Sequence, residues 1–158
     1  MLASLQKKLR TLVQQASKER RTPNAEALEI SLPLAAASVL FEVAWADHHI
    51  SAAEEDSLQQ ALIKLYQITP DQAQEVITLS RELHQTSVGV YPYTRLLNEQ
   101  LDRTEKFELL IQLWSVALVD EGIDQFEEHR IRAIAELLYI DHPDFIRAKQ
   151  IARARNEQ

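Results

Sequence analysis

The chain has 158 residues, with 24 acidic against 17 basic side chains, a formal net charge of −7 and 46% apolar content, which suits one domain around a single core. Two glycines are too few for the tight turns of an all-β fold, and the absence of cysteine excludes a disulfide scaffold, a thiolate zinc site, an iron–sulfur cluster and a cysteine nucleophile. With no run of about 18 apolar residues and no signal-peptide pattern at its start, the chain is expected to be soluble, helical and cytoplasmic.

Apolar residues recur at spacings of three and four along almost the whole sequence, the period of an amphipathic helix. A first helix is expected over about 2–20, with Leu2, Leu5, Leu9, Leu12 and Ala16 in one stripe. Lys7, Lys8, Arg10, Lys18, Arg20 and Arg21 give residues 1–22 a charge of +5. A connection or single helical turn lies between Asn24 and Pro33, and Pro33 opens a strongly apolar helix to about 46. A third helix covers about 52–66. Thr69-Pro70-Asp71-Gln72 combines a cap, a first-turn proline and a capping box, and starts a fourth helix to about 85. The segment from Gln85 to Pro92, which contains Gly89, is the principal loop. Helices follow at about 93–101, 104–119, 125–139 and 143–154. The expected architecture is an all-α bundle of seven or eight helices, with residues 1–22 as a basic amphipathic helix and 23–158 as the helical domain.

An internal repeat organises that domain. Residues 36–72 and 109–145, aligned without a gap at an offset of 73, share 11 identities in 37 positions. Chance gives about two for ordinary amino-acid usage. Each copy reads as a helix, an acidic turn, a second helix and a proline-started third, and two such units make a compact bundle.

The acidic turns share the skeleton Asp-x-x-Ile-x-x-x-Glu-Glu: Asp47, Ile50, Glu54 and Glu55, then Asp120, Ile123, Glu127 and Glu128. Ser51 with Glu54, and Asp124 with Glu127, have the spacing of capping boxes, and this suffices for the two glutamates. Asp47 and Asp120 need another account, because they sit at the C-terminal end of an apolar helix, where the dipole disfavours a negative charge. Three partners would compensate it: backbone N–H groups through an Asx-type turn, a basic side chain such as Arg130 or Arg132, or a divalent cation held by oxygen ligands. Neither copy fits an EF-hand loop, since Ala52 and Leu58, or Gln125 and Ile131, stand where glycine and glutamate are required. His48, His49 and His129 read as exposed.

The runs Val43-Ala44-Trp45-Ala46-Asp47-x-x-Ile50-x-x-x-Glu54-Glu55 and Asp120-Glu121-Gly122-Ile123-Asp124-x-x-Glu127-Glu128-His129 resemble the tellurite-resistance protein TerB family. The second run continues through Ile134-Ala135-Glu136-Leu137-Leu138 to Asp144-Phe145-Ile146, and the likeness covers about 34–150. It implies an all-helical fold, a role in tellurite or metal stress, and divalent-metal ligation by Asp47, Glu54, Asp120 and Glu127. Where that family has Asp-Gly, this chain has Asp47-His48 and Asp120-Glu121, with Gly122 one step late, and this constrains the turn's backbone.

Other features point to packing. Phe41, Trp45, Phe107, Trp114 and Tyr139 lie at helical spacing among Leu and Val and are expected in the core. Tyr91-Pro92-Tyr93 reads as an aromatic turn covering the bundle. No glycine-framed serine or phosphate loop occurs, and adjacent glutamates diverge by about 100° on a helix, so an enzyme is not expected. Residues 147–158 carry +3, leaving −15 on 23–146, which disfavours nucleic acid and favours cations or basic protein partners. The N-terminal helix is expected to dock on the bundle, with dimerisation or peripheral membrane contact less favoured. The function expected is therefore a non-enzymatic module binding a divalent cation (calcium, zinc or manganese) through its acidic turns, the alternative being a metal-free acidic interaction scaffold.

Overall fold

Two stretches of this chain are apolar on nearly every face, and each must be surrounded by other helices to leave water. The computed structural model describes residues 25–86, 89–120 and 125–157, and those residues form seven helices with no strand. They are α1 (Ala25–Ala44), α2 (Ala52–Tyr66), α3 (Pro70–His84), α4 (Tyr91–Gln100), α5 (Arg103–Leu118), α6 (Gln125–Leu137) and α7 (His142–Asn156). The expected helix over 2–20 lies outside the described residues.

The two central helices are α1 and α5, the first helices of the two repeat units. From Leu34 to Ala44 and from Leu109 to Ala117 almost every side chain is buried. Helix α1 packs against α2, α3, α4, α5 and α6, and α5 against α1, α2, α6 and α7. In each unit the third helix returns parallel to the first. Glu42 near the end of α1 meets His84 at the end of α3 (2.9 Å), and Asn156 at the end of α7 donates to the carbonyl of Leu118 at the end of α5 (3.1 Å). Glu42 also pairs with Arg130 of α6 at 3.1 Å, so one half-buried carboxylate holds helices of both units.

Local chemistry accounts for most helix boundaries. Ser51 and Thr69 make complete capping boxes with Glu54 and Gln72, and Asp102 and Asp141 cap α5 and α7 through Glu105 and Asp144 backbone N–H groups. Two expectations change. Helix α1 begins at Ala25, so Pro33 lies inside it rather than opening it. A proline there withdraws the N–H that the Glu29 carbonyl would accept, so the helix runs through Pro33 with one bond fewer. Trp114 and Phe41 are buried and Trp45 and Phe107 half-buried, but Tyr139 is 84% exposed.

Tyr139 is exposed because the repeat slips by one residue at the end of α6. Helix α2 closes at Gln67 (φ 53°), whose N–H bonds the carbonyl of Ile63 at 2.8 Å. Helix α6 closes at Tyr139 (φ 59°), with Ile140 N–H on the carbonyl of Ala135 at 2.9 Å and Tyr139 N–H on that of Glu136 at 3.1 Å, a tighter Schellman-type end. Beyond this point structural equivalents are 72 residues apart, not 73: Thr69 and Asp141 are both N-caps, and buried Ala73, Val76 and Ser80 match buried Phe145, Ala148 and Ala152. The identical pair Tyr66 and Tyr139 is therefore not equivalent in space. Gln67 takes a left-handed conformation that suits glycine, and its side chain is exposed. Gln67→Gly is expected to stabilise the protein by about 1 kcal/mol, raising the midpoint of a thermal melt by about 2–4 °C.

Candidate functional site

Helix α1 stops where its apolar stripe runs out, at Ala44, and residues 45–48 wind into a turn closed by His48 N–H on the carbonyl of Trp45 at 2.9 Å. His48 has φ 62°, the left-handed conformation that glycine adopts most easily, and here a histidine adopts it. Asp47 is exposed, and its Oδ1 accepts the N–H of His49 at 3.1 Å. Of the three partners that would compensate Asp47, the structure supplies the Asx-type turn. The basic candidates are engaged elsewhere: Arg130 on Glu42, and Arg132 over the Phe145 ring, 4.7 Å from its centroid.

The chain then enters α2 through Ser51, whose hydroxyl has two tasks. Its Oγ accepts the N–H of Glu54 at 3.0 Å and donates to Asp120 Oδ2, also at 3.0 Å. In return Ser51 N–H donates to Glu54 Oε1 at 3.0 Å. The bond to Asp120 crosses 69 residues and joins the acidic turn of the first unit to that of the second. The sequence points to Ser51 as a helix cap; its second role has no local signature, because it depends on where α5 ends.

Glu54 is buried between these groups. Removal from water pushes its carboxyl above the ordinary value of 4.5; the two hydrogen bonds from Ser51 oppose that, and the charges of Asp120 and then Asp47 push it further up. Glu127 is buried at the equivalent position of α6, while Ile123, Asp124, Glu121 and Gly122 lie outside the described residues. The second glutamate of each turn ties its helix to the third helix of its own unit: Glu55 pairs with Arg81 at 3.2 Å, and Glu128 with Lys149 at 3.3 Å. His48, His49 and His129 are exposed. The structure thus brings Asp47, Glu54 and Asp120 around the start of α2. Among the described residues, no three His, Asp or Glu side chains are grouped closely enough to hold a metal ion in common.

Two consequences can be measured. Ser51→Ala removes a cap and the bond to Asp120 together, and is expected to cost about 1–2 kcal/mol in a denaturant titration. Glu54 binds its proton more tightly folded than unfolded. Its contribution to stability is therefore full below about pH 4.5 and is lost as pH rises through the raised value. Glu54→Gln keeps a side chain that can complete a capping box, as Gln72 does in α3, and removes the titration. Melting midpoints in EDTA should show the variant gaining steadily on the parent as pH rises from about 4 to about 7. A constant difference across that range would contradict the electrostatic account.

The family model for tellurite resistance protein TerB matches residues 33–150, most of the chain and all of both acidic turns. The chain belongs to the TerB family. Comparison with curated proteins and with solved structures gives no significant match.

Proposed function

We propose that this TerB-family protein is a non-enzymatic accessory module in tellurite or metal stress, and that its paired acidic turns take up a divalent cation. Asp47 and Asp120 would be the first oxygen donors, with Glu54 joining from the start of α2 and Glu127 serving the second turn. The observation that carries the reading is the meeting of the two turns at Ser51, which sets two aspartate charges beside a buried glutamate that they disfavour in its ionised form. A hard cation relieves that repulsion, and an all-oxygen donor set favours calcium, magnesium or manganese over zinc. The donors fit in kind but are not gathered as they stand, so uptake must exchange the bonds from His49 and Ser51 for ligation.

A second reading has its own support. Asp47, Glu54 and Asp120 each already have a hydrogen-bond donor within the turns, which is what a metal-free acidic scaffold for a basic protein partner requires. Thermal melts of EDTA-stripped protein with calcium, magnesium, manganese or zinc, at constant ionic strength, separate the two. At about 100 times its dissociation constant a bound ion adds about 2.7 kcal/mol, which raises the midpoint by about 5–10 °C. The cation reading expects that shift with one ion, and its loss in the Asp47→Asn, Asp120→Asn double variant. An equal shift in the double variant, or none with any ion, overturns it, and the latter leaves the scaffold. No helix among the described residues is long and apolar enough to cross a membrane.

A further inference from the structure

A groove of about 340 Å³ lies between the end of α2, the first half of α5 and Arg155 of α7. Its wall is amphipathic: Leu65, Leu101 and Leu109 with Tyr66, Glu105 and Gln112. Gln112 is largely buried in that wall. A wall that mixes leucines with phenol, amide and carboxyl groups is suited to an occupant with polar as well as apolar side chains. Desolvation also pushes the Tyr66 phenol well above its ordinary range.

Glu105 in the wall and Asp102 beside Leu101 have no basic partner among the described residues. Asp102 is occupied in capping α5 through Glu105 N–H at 2.8 Å, and neither Asp102 nor Glu105 forms an ion pair with a described residue. Burial and the Asp102 charge both push the Glu105 carboxyl up. Of the basic residues in the wall, Arg155 is paired with Glu108 at 3.3 Å, which leaves Lys64.

We propose that this groove is the docking site of the chain's own N-terminal segment, residues 1–24, seated by its leucine stripe and by its basic residues against Glu105 and Asp102. Three features favour that occupant. Helix α1 lies antiparallel to α2, so the point where residue 24 joins it is at the end of the bundle where α2 finishes and α5 begins. A helix of 24 residues spans about 36 Å, enough to cross that end. Residues 1–22 carry +5 and residues 23–146 carry −15, and the segment combines Leu2, Leu5, Leu9 and Leu12 with Gln6, Thr11, Gln14 and Gln15, a mixture that suits the amphipathic wall.

Because the chain has no cysteine, Gln6→Cys in the full-length protein offers a single position for a nitroxide spin label. Relaxation enhancement of the nitrogen-15-labelled protein is expected to broaden the backbone amides of 64–66 and 101–112. The broadening should be lost in Glu105→Lys and, separately, in the Leu5→Ser, Leu9→Ser double variant, which alters only the segment. A mixture of spin-labelled unenriched protein with enriched protein lacking the label should show no broadening at the groove. Broadening in that mixture would assign the groove to a second copy and overturn the proposal. So would broadening confined to other surfaces, its absence, or its persistence in both variants. Cation binding at the acidic turns is read independently of all these signals.

Discussion

A helix that is apolar on every face has no stable place at a surface, and this chain has two of them. The stretches Leu34 to Ala44 and Leu109 to Ala117 have to be enclosed, and the other helices are arranged to do it. Each repeat unit alone can cover its first helix on one side with its own second and third helices. Packing α1 against α5 lets each cover the other, so the duplication and the single core are one solution to one problem. Glu42, held by His84 of its own unit and Arg130 of the other, is placed at that junction.

The position of the acidic turns follows from the same geometry. Because α1 and α5 pack together, the loops that follow them emerge at one end of the bundle, and Ser51 can reach Asp120. Negative charge is concentrated there at some cost to Glu54, while the helix starts and backbone N–H groups offset part of it. The two glutamates of each turn divide their work. Glu54 and Glu127 are turned inward and buried, whereas Glu55 and Glu128 reach to Arg81 and Lys149 and fasten the third helices. Adjacent residues on a helix point in different directions, so one Glu-Glu pair can serve both ends.

Legibility in the sequence varied with the range of the interaction. Ser51 with Glu54 and Thr69 with Gln72 are contacts over three residues, and their spacing was sufficient to place the starts of α2 and α3. The Asx-type turn at Asp47 was legible as one of three options, because a carboxylate beside a helix end can bond backbone, base or cation with equal local plausibility. Pro33 misled in the opposite direction: proline is a good first residue of a helix, and local preference gave no sign that α1 would run eight residues further back. Tyr139 misled through its periodicity. Its helical spacing among Leu and Val suggested a core position, but the tighter closure of α6 turns it into water.

The sequence by itself determined that the chain is helical, where most helices start, and that it is built from two related units. These properties depend on periodicity, capping and composition, all of which act within a few turns of chain. Tertiary structure decided that the two acidic turns meet at Ser51, that Arg130 serves Glu42 rather than an aspartate, and that the second copy slips by one residue after α6. Each of these turns on how far one helix extends and where its neighbour lies, and a shift of one residue rotates a side chain by about 100°. That rotation separates a tyrosine at the groove from one in water, and no local pattern records it.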